Sequence, residues 1–217
     1  AHQIYKQQLL AYHQLSERSP DYFRLIRTQA ELKHHLEQWQ NVPTTETPQL
    51  PVGLIPLMEG AEGILSLEEL PMWWELGVRI IGLAWRGNRY SGGTKEPGPL
   101  SQAGKELLDA MAEHGFVLDI SHMDEEAALQ AIERYPGTII ASHANLARLV
   151  EGYQGNRLLS DTLLDALLER DAIIGVVPCN SFLRRDWKES GGKASVSLKL
   201  AAEQIDAICQ RTGDSKQ

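Results

Sequence analysis

Two apolar runs in this chain end in the same way. Leu118-Asp-Ile-Ser-His122 and Ile139-Ile-Ala-Ser-His143 each deliver a Ser-His pair, and a third run, Val52 to Met58, ends on Glu59. In parallel α/β folds the active site gathers where strands end, so imidazoles at one station on consecutive strands, with a carboxylate on a third, converge. Two neutral imidazoles and a carboxylate suit Zn2+ and leave a coordination position for water. An ion held that way brings the pKa of its water towards about 7 and polarises a carbonyl, so hydrolysis of an amide or ester is the chemistry such a set serves. Each residue also has a plainer reading. A strand-end histidine can simply bond a carbonyl at a helix start, and an acid opening a βα loop can face the positive end of the next helix. The repeated station favours the metal site. His2, His13, His34, His35 and His114 lie on helical stretches with polar neighbours and are expected to be solvated.

Two further segments carry candidate chemistry. Arg86-Gly-Asn-Arg-Tyr-Ser-Gly-Gly-Thr94 is glycine-rich but lacks the Gly-Lys-Ser/Thr ending of a phosphate loop, so it reads as a lid or wall of the site. Arg157, ahead of a helix capped by Ser160, offers a two-pronged guanidinium to a substrate carboxylate, or is a surface arginine on a loop.

The elements that must position these residues follow from periodicity. Strand-length apolar runs fall at 52–58, 78–84, 116–120, 138–141 and 173–177, with an extended piece at 23–28. Helical patterns occupy 2–17, 30–39, 66–76, 101–114, 124–134, 161–170 and 197–211, and a Pro/Thr-rich loop covers 41–51. Strands apolar along their whole length are covered on both faces, as parallel strands under crossover helices are, which points to an α/β fold. Ser101 and Asp124 stand at helix starts, and Gly77, Gly115 and Gly137 where helices should stop. Pattern alone leaves a doubly wound sheet and part of an eight-stranded barrel both open, although no Gly-x-Gly-x-x-Gly follows the first strand.

Composition narrows the classes further. The 217 residues fit one domain, 1–217, and 42% hydrophobic with 23% charged residues is globular usage. A net charge of -8, with no basic run beyond Arg184-Arg185, argues against nucleic acid as a partner. No apolar run approaches the roughly 18–20 residues of a membrane span, and Cys179 and Cys209 read as two buried thiols in a reducing compartment. A soluble, cytoplasmic protein is the expectation.

Taken in order, Met-Glu-Gly (58–60), Gly-Leu-Ala-Trp (82–85), Asn-Arg-Tyr-Ser-Gly-Gly-Thr (88–94), Leu-Ser-Gln-Ala-Gly-Lys-Glu-Leu-Leu (100–108), Leu-Asp-Ile-Ser-His-Met (118–123), Ile-Ala-Ser-His-Ala-Asn (140–145) and Leu-Ser-Asp (159–161) resemble the membrane (renal) dipeptidase family, zinc-dependent peptidase family M19, in a bacterial-type form. The flank ending Arg-Thr-Gly-Asp (211–214) is similar too. The resemblance implies a (β/α)8 TIM-barrel-like hydrolase that cleaves dipeptides with two zinc ions. It implies Glu59 as the catalytic carboxylate bridging both metals, His122 and His143 as terminal ligands of one, and Arg157 as the grip on the substrate carboxylate. Homodimers are an expectation of the family. Three departures stand out: no His-x-Asp pair precedes Glu59, no late acid/base aspartate follows on a last strand, and Trp85 stands where a carbonyl-polarising histidine is found. The first two suggest a partial barrel lacking both ends; the third leaves Trp85 as a substrate-binding residue of altered preference. Two alternatives accompany this reading: a non-catalytic barrel relative that binds a carboxylate ligand or partner, and an amidohydrolase acting on other substrates.

Overall fold

The computed structural model describes residues 1–43 and 50–212. The middle of the Pro/Thr-rich loop, 44–49, and the tail from 213, which includes Gly213-Asp214, lie outside the described residues. The chain opens with α1 (His2–Arg18), β1 (Phe23–Leu25), α2 (Gln29–Gln40), β2 (Val52–Leu54) and β3 (Leu57–Glu59). The predicted strand 52–58 is therefore two strands. Pro56 has no N–H to give to a ladder, and the chain changes partner there: β2 runs parallel to β1 (Phe23↔Val52), while β3 enters the main sheet.

That sheet has five parallel strands. They are β3, β4 (Ile80–Gly82), β7 (Val117–Asp119), β8 (Ile139–Ala141) and β9 (Ile173–Ile174), side by side in that order. Between β4 and β7 comes an antiparallel ribbon, β5 (Ser91–Gly93) with β6 (Glu96–Leu100), turning at Lys95 with φ 65°. Helices α3 (Leu70–Glu75), α4 (Gln102–His114), α5 (Glu125–Arg134) and α6 (Asp161–Leu168) cover the connections, followed by α7 (Asn180–Leu183) and α8 (Leu198–Thr212). Successive parallel strands under crossover helices, with strand order following chain order, are the arrangement of a barrel wall, not of a doubly wound sheet.

Local chemistry accounts for the boundaries. Ser101 caps α4 by accepting Gly104 N–H at 3.0 Å, Ser160 caps α6 by accepting Leu163 N–H at 3.1 Å, and Gly115 ends α4 in the left-handed region at φ 77°. Two sequence expectations fail. Asp124 precedes α5 without a side-chain cap, and Gly137 ends nothing, because α5 already stops at Arg134 ahead of Pro136. The helix expected over 66–76 begins as a 3-10 turn, Leu67–Glu69, and becomes α-helical from Leu70 with Pro71 in its first turn, where a missing N–H costs nothing.

The core lies between sheet and helices. Trp73, Ile81, Leu83, Leu107, Leu108, Met111 and Leu118 are completely buried there. Each buried aliphatic side chain of this size contributes about 1.5–3 kcal/mol. The strands so fixed carry their last residues to one rim. Among the described residues, no helix is long and apolar enough to cross a membrane.

Candidate metal centre

At the rim the register aligns Glu59 with Gly82 and Gly82 with Asp119, so two carboxylates flank a glycine on one rung. His122 follows three residues after Asp119, at φ 69°. A left-handed backbone at a non-glycine residue costs on the order of 1–3 kcal/mol and is found mostly where function demands it. Here it turns the imidazole back towards Glu59. His143 arrives from the next strand, two residues beyond Ala141.

The three side chains meet. Oε1 of Glu59 lies 3.1 Å from Nε2 of His122 and 3.1 Å from Nε2 of His143, and one ligand atom of each residue lies within 4.8 Å of the others. His122 is buried, His143 partly so, and Glu59 is open to the mouth. Among the described residues this is the one cluster of three or more His, Cys, Asp or Glu with metal-holding geometry.

Hydrogen bonds to the far nitrogens aim both rings. Thr94 Oγ1 stands 3.0 Å from His122 Nδ1, and Ser142 Oγ stands 2.8 Å from His143 Nδ1. Ser142 in turn donates to Asp119 Oδ2 at 2.5 Å. Oδ1 of Asp119 accepts Ser121 N–H and Ser142 N–H, both at 3.0 Å, which ties the two Ser-His loops to one buried carboxylate. Burial, reinforced by the charge of Arg157 and by His143, pushes the His122 imidazole down to about 3, so its ring is neutral at ordinary pH. A neutral ring is the form that ligates.

The loop after β4 is a wall. Ser91, Gly92, Gly93 and Thr94 are buried in the β5–β6 ribbon, which packs on α5 and supplies the Thr94 contact. Trp85 sits over His122 with ring centroids 5.2 Å apart and planes 28° off parallel, 42% of it exposed to the mouth. Arg157 is buried rather than a surface arginine. It donates to His143 O at 2.6 Å, lies 5.0 Å over the Phe182 ring, keeps an unpartnered Nε, and borders a cavity of about 240 Å³ with Ser121, His122 and Asn156.

The comparisons with known proteins fit this arrangement. Residues 1–216 match the family described as membrane dipeptidase (peptidase family M19). The chain belongs to that family. Among curated relatives of this M19 chain, an uncharacterised protein in the PQQ-III 3' region of Acinetobacter calcoaceticus is 29% identical over 164 residues, 71% of this chain and 50% of that protein. Dipeptidase tcpJ of Claviceps purpurea is 31% identical over 124 residues, 53% of this chain and 28% of the relative. Of solved structures, an amidohydrolase from Pseudomonas aeruginosa aligns with TM-score 0.81 at 19% identity over 98% of this chain and 60% of its own. A metallo peptidase from Rhodobacter sphaeroides, liganded with a phosphinate mimic of the dipeptide L-Ala-D-Ala, aligns with TM-score 0.75 at 24% identity over 94% and 56%. At those identities the structures establish the barrel-like fold. The M19 chain spans between about a quarter and three fifths of the length of these four proteins.

Several expectations need correction. His35 is buried, 7% exposed, with its ring edge-on to Trp39 and against Gly53; His2 bonds Gly63 O and His13 bonds Leu76 O. These histidines brace α1 and α2 instead of standing in solvent. Cys179 is exposed, and Cys209 is only partly buried, so neither is a core thiol. Asp124, expected as a cap, instead accepts Asn156 Nδ2 at 2.6 Å and Gly98 N–H at 3.3 Å. Sequence reading missed Asp119, Ser142 and Thr94. One signal was available: an aspartate inside the apolar run Phe-Val-Leu-Asp-Ile must be buried and therefore bonded.

Proposed function

We propose that this chain carries the metal-binding wall of a dipeptidase-type hydrolase, in which Glu59, His122 and His143 hold zinc and the substrate is a dipeptide. The observation that carries this reading is the single oxygen of Glu59 at 3.1 Å from both imidazole Nε2 atoms. The donor set fits the ion: two imidazole nitrogens and a carboxylate oxygen are zinc ligands, and each ring is held by its other nitrogen, as ligating histidines usually are. When bound, zinc supplies Lewis-acid chemistry that activates water and polarises a carbonyl. A second ion, which the resemblance implies, would take Glu59, open to the mouth, as a ligand as well.

The protein's own part is positional. Glu59 sets the negative pole of the site, while Thr94 and Ser142 fix ring orientation. Arg157, which lines the same cavity as Ser121 and His122, would receive the C-terminal carboxylate of the substrate through charge-assisted bonds. Trp85, flat on His122, forms an apolar wall that keeps water off one face of the reacting group.

The test is zinc content together with hydrolysis of a dipeptide panel by the wild type, His122→Ala and His143→Ala, with N-acyl amino acids and lactones as competing substrate classes. Stoichiometric zinc and dipeptide turnover in the wild type, both lost in the variants, support the reading. Unchanged zinc in the His122→Ala/His143→Ala double variant rules the site out.

A further inference from the structure

Asp119 is 1% exposed, and its carboxylate is held by three hydrogen bonds. Oδ1 accepts two backbone N–H groups, from Ser121 and Ser142, and Oδ2 accepts the Ser142 hydroxyl. With its hydrogen committed to Oδ2, Ser142 Oγ has only lone pairs left, and the nearest neighbour is His143 Nδ1 at 2.8 Å. Ser121 Oγ, at 3.4 Å, is the other. A hydroxyl already donating can meet an imidazole nitrogen only as an acceptor, so His143 must carry its hydrogen on Nδ1. That leaves Nε2, 3.1 Å from Glu59 Oε1, as the nitrogen available to a cation at the point that Glu59 and His122 share.

We infer that Asp119, acting through Ser142, is the positioning residue that sets the tautomer of His143 and thereby its competence as a metal ligand. The inference rests on the metal reading above and adds a residue on which that reading does not depend. A purely mechanical role is the rival, because Oδ1 also ties the two Ser-His loops together.

Asp119→Asn separates the two. The amide oxygen must take the Oδ1 place, where two N–H donors need an acceptor, which leaves Nδ2 against Ser142 Oγ. The direction of the chain then reverses: Nδ2 donates to Ser142, Ser142 donates to His143 Nδ1, and the hydrogen of the ring moves to Nε2. The loop tie survives while the ligand lone pair is lost. Removing the hydroxyl as well, in Asp119→Asn/Ser142→Ala, deletes the wrong instruction and lets either tautomer form.

The experiment is zinc affinity by chelator competition for four full chains, wild type, Asp119→Asn, Ser142→Ala and the double variant, with the unfolding midpoint of each in metal-free form. Affinity is expected to fall about 10–100-fold in Asp119→Asn, the range for lost ligand-supporting partners. It falls less in Ser142→Ala and recovers to the Ser142→Ala level in the double variant. Asp119→Asn binding as tightly as wild type, or a double variant no better than Asp119→Asn, overturns the inference. A wild type that takes up no zinc overturns the metal reading and this with it, which is a different result. Should Asp119→Asn fail to fold, Ser142→Ala alone decides: weaker zinc with an unchanged metal-free midpoint supports the relay, and unchanged affinity overturns it.

Discussion

Trp85 lies over the imidazole of His122 at a centroid distance of 5.2 Å, so an exposed aromatic ring rests on a buried histidine. The stack closes one side of the site and contributes to its stability. A pair of this kind is worth about 0.5–1.5 kcal/mol beyond the area it covers. Trp85→Ala is expected to lower unfolding free energy by at least that amount in urea titrations, since the covered area is lost as well, and to widen the range of accepted dipeptide side chains. Unchanged selectivity across a dipeptide panel would remove Trp85 from the substrate wall.

Zinc should stabilise the folded chain through its ligands. A ligand that binds only the folded state adds about 2.7 kcal/mol at one hundred times its Kd. The unfolding midpoint of the wild type should therefore rise on adding zinc and return with a chelator. Glu59→Ala and His143→Ala should show no such rise. A rise of equal size in the variants would mean that the ion sits elsewhere.

Arg157 offers a split between binding classes. Its guanidinium already spends one donor on His143 O at 2.6 Å, and Lys cannot replace that bond and still reach a carboxylate with two prongs. Arg157→Lys should raise KM for dipeptides with a free C-terminal carboxylate by more than ten-fold, about 1.4 kcal/mol or more. Dipeptide amides, which lack that carboxylate, should be affected little. An equal loss for both would assign Arg157 to bracing alone.

Gly175 tests how tightly the rim is built. A Cβ there would stand 2.0 Å from Ser142 O, a backbone atom that cannot move aside without moving His143, and Gly175 O also accepts Ala144 N–H at 2.7 Å. Gly175→Ala is expected to cost about 1–3 kcal/mol and to weaken zinc binding. Denaturation and chelator competition measure both, and an intact affinity would show that the His143 loop yields independently of β9.

Much of this centre is legible in the sequence, for a physical reason. The three metal-type residues follow apolar runs, and strand ends in a parallel sheet share a rim whatever the strand boundaries turn out to be. Strand boundaries are less legible: the apolar run 173–177 forms a ladder only at Ile173–Ile174, because a ladder needs a neighbour in register as well as apolar side chains. No strand is expected over the β5–β6 ribbon, because Glu96-Pro-Gly-Pro-Leu100 has almost no strand propensity; packing on α5 holds it. His35 gave no warning, since its burial depends on Gly53, a residue of β2 that leaves room for the ring. Asp119 did give one, in the form of a charge within an apolar strand.

The direct test of a shared cation is anomalous diffraction at the zinc edge from crystals of the full chain grown with zinc. The account predicts a peak about 2.0–2.2 Å from Glu59 Oε1, His122 Nε2 and His143 Nε2 together. Zinc bound only at other residues, with these three atoms left in contact with one another, would contradict it.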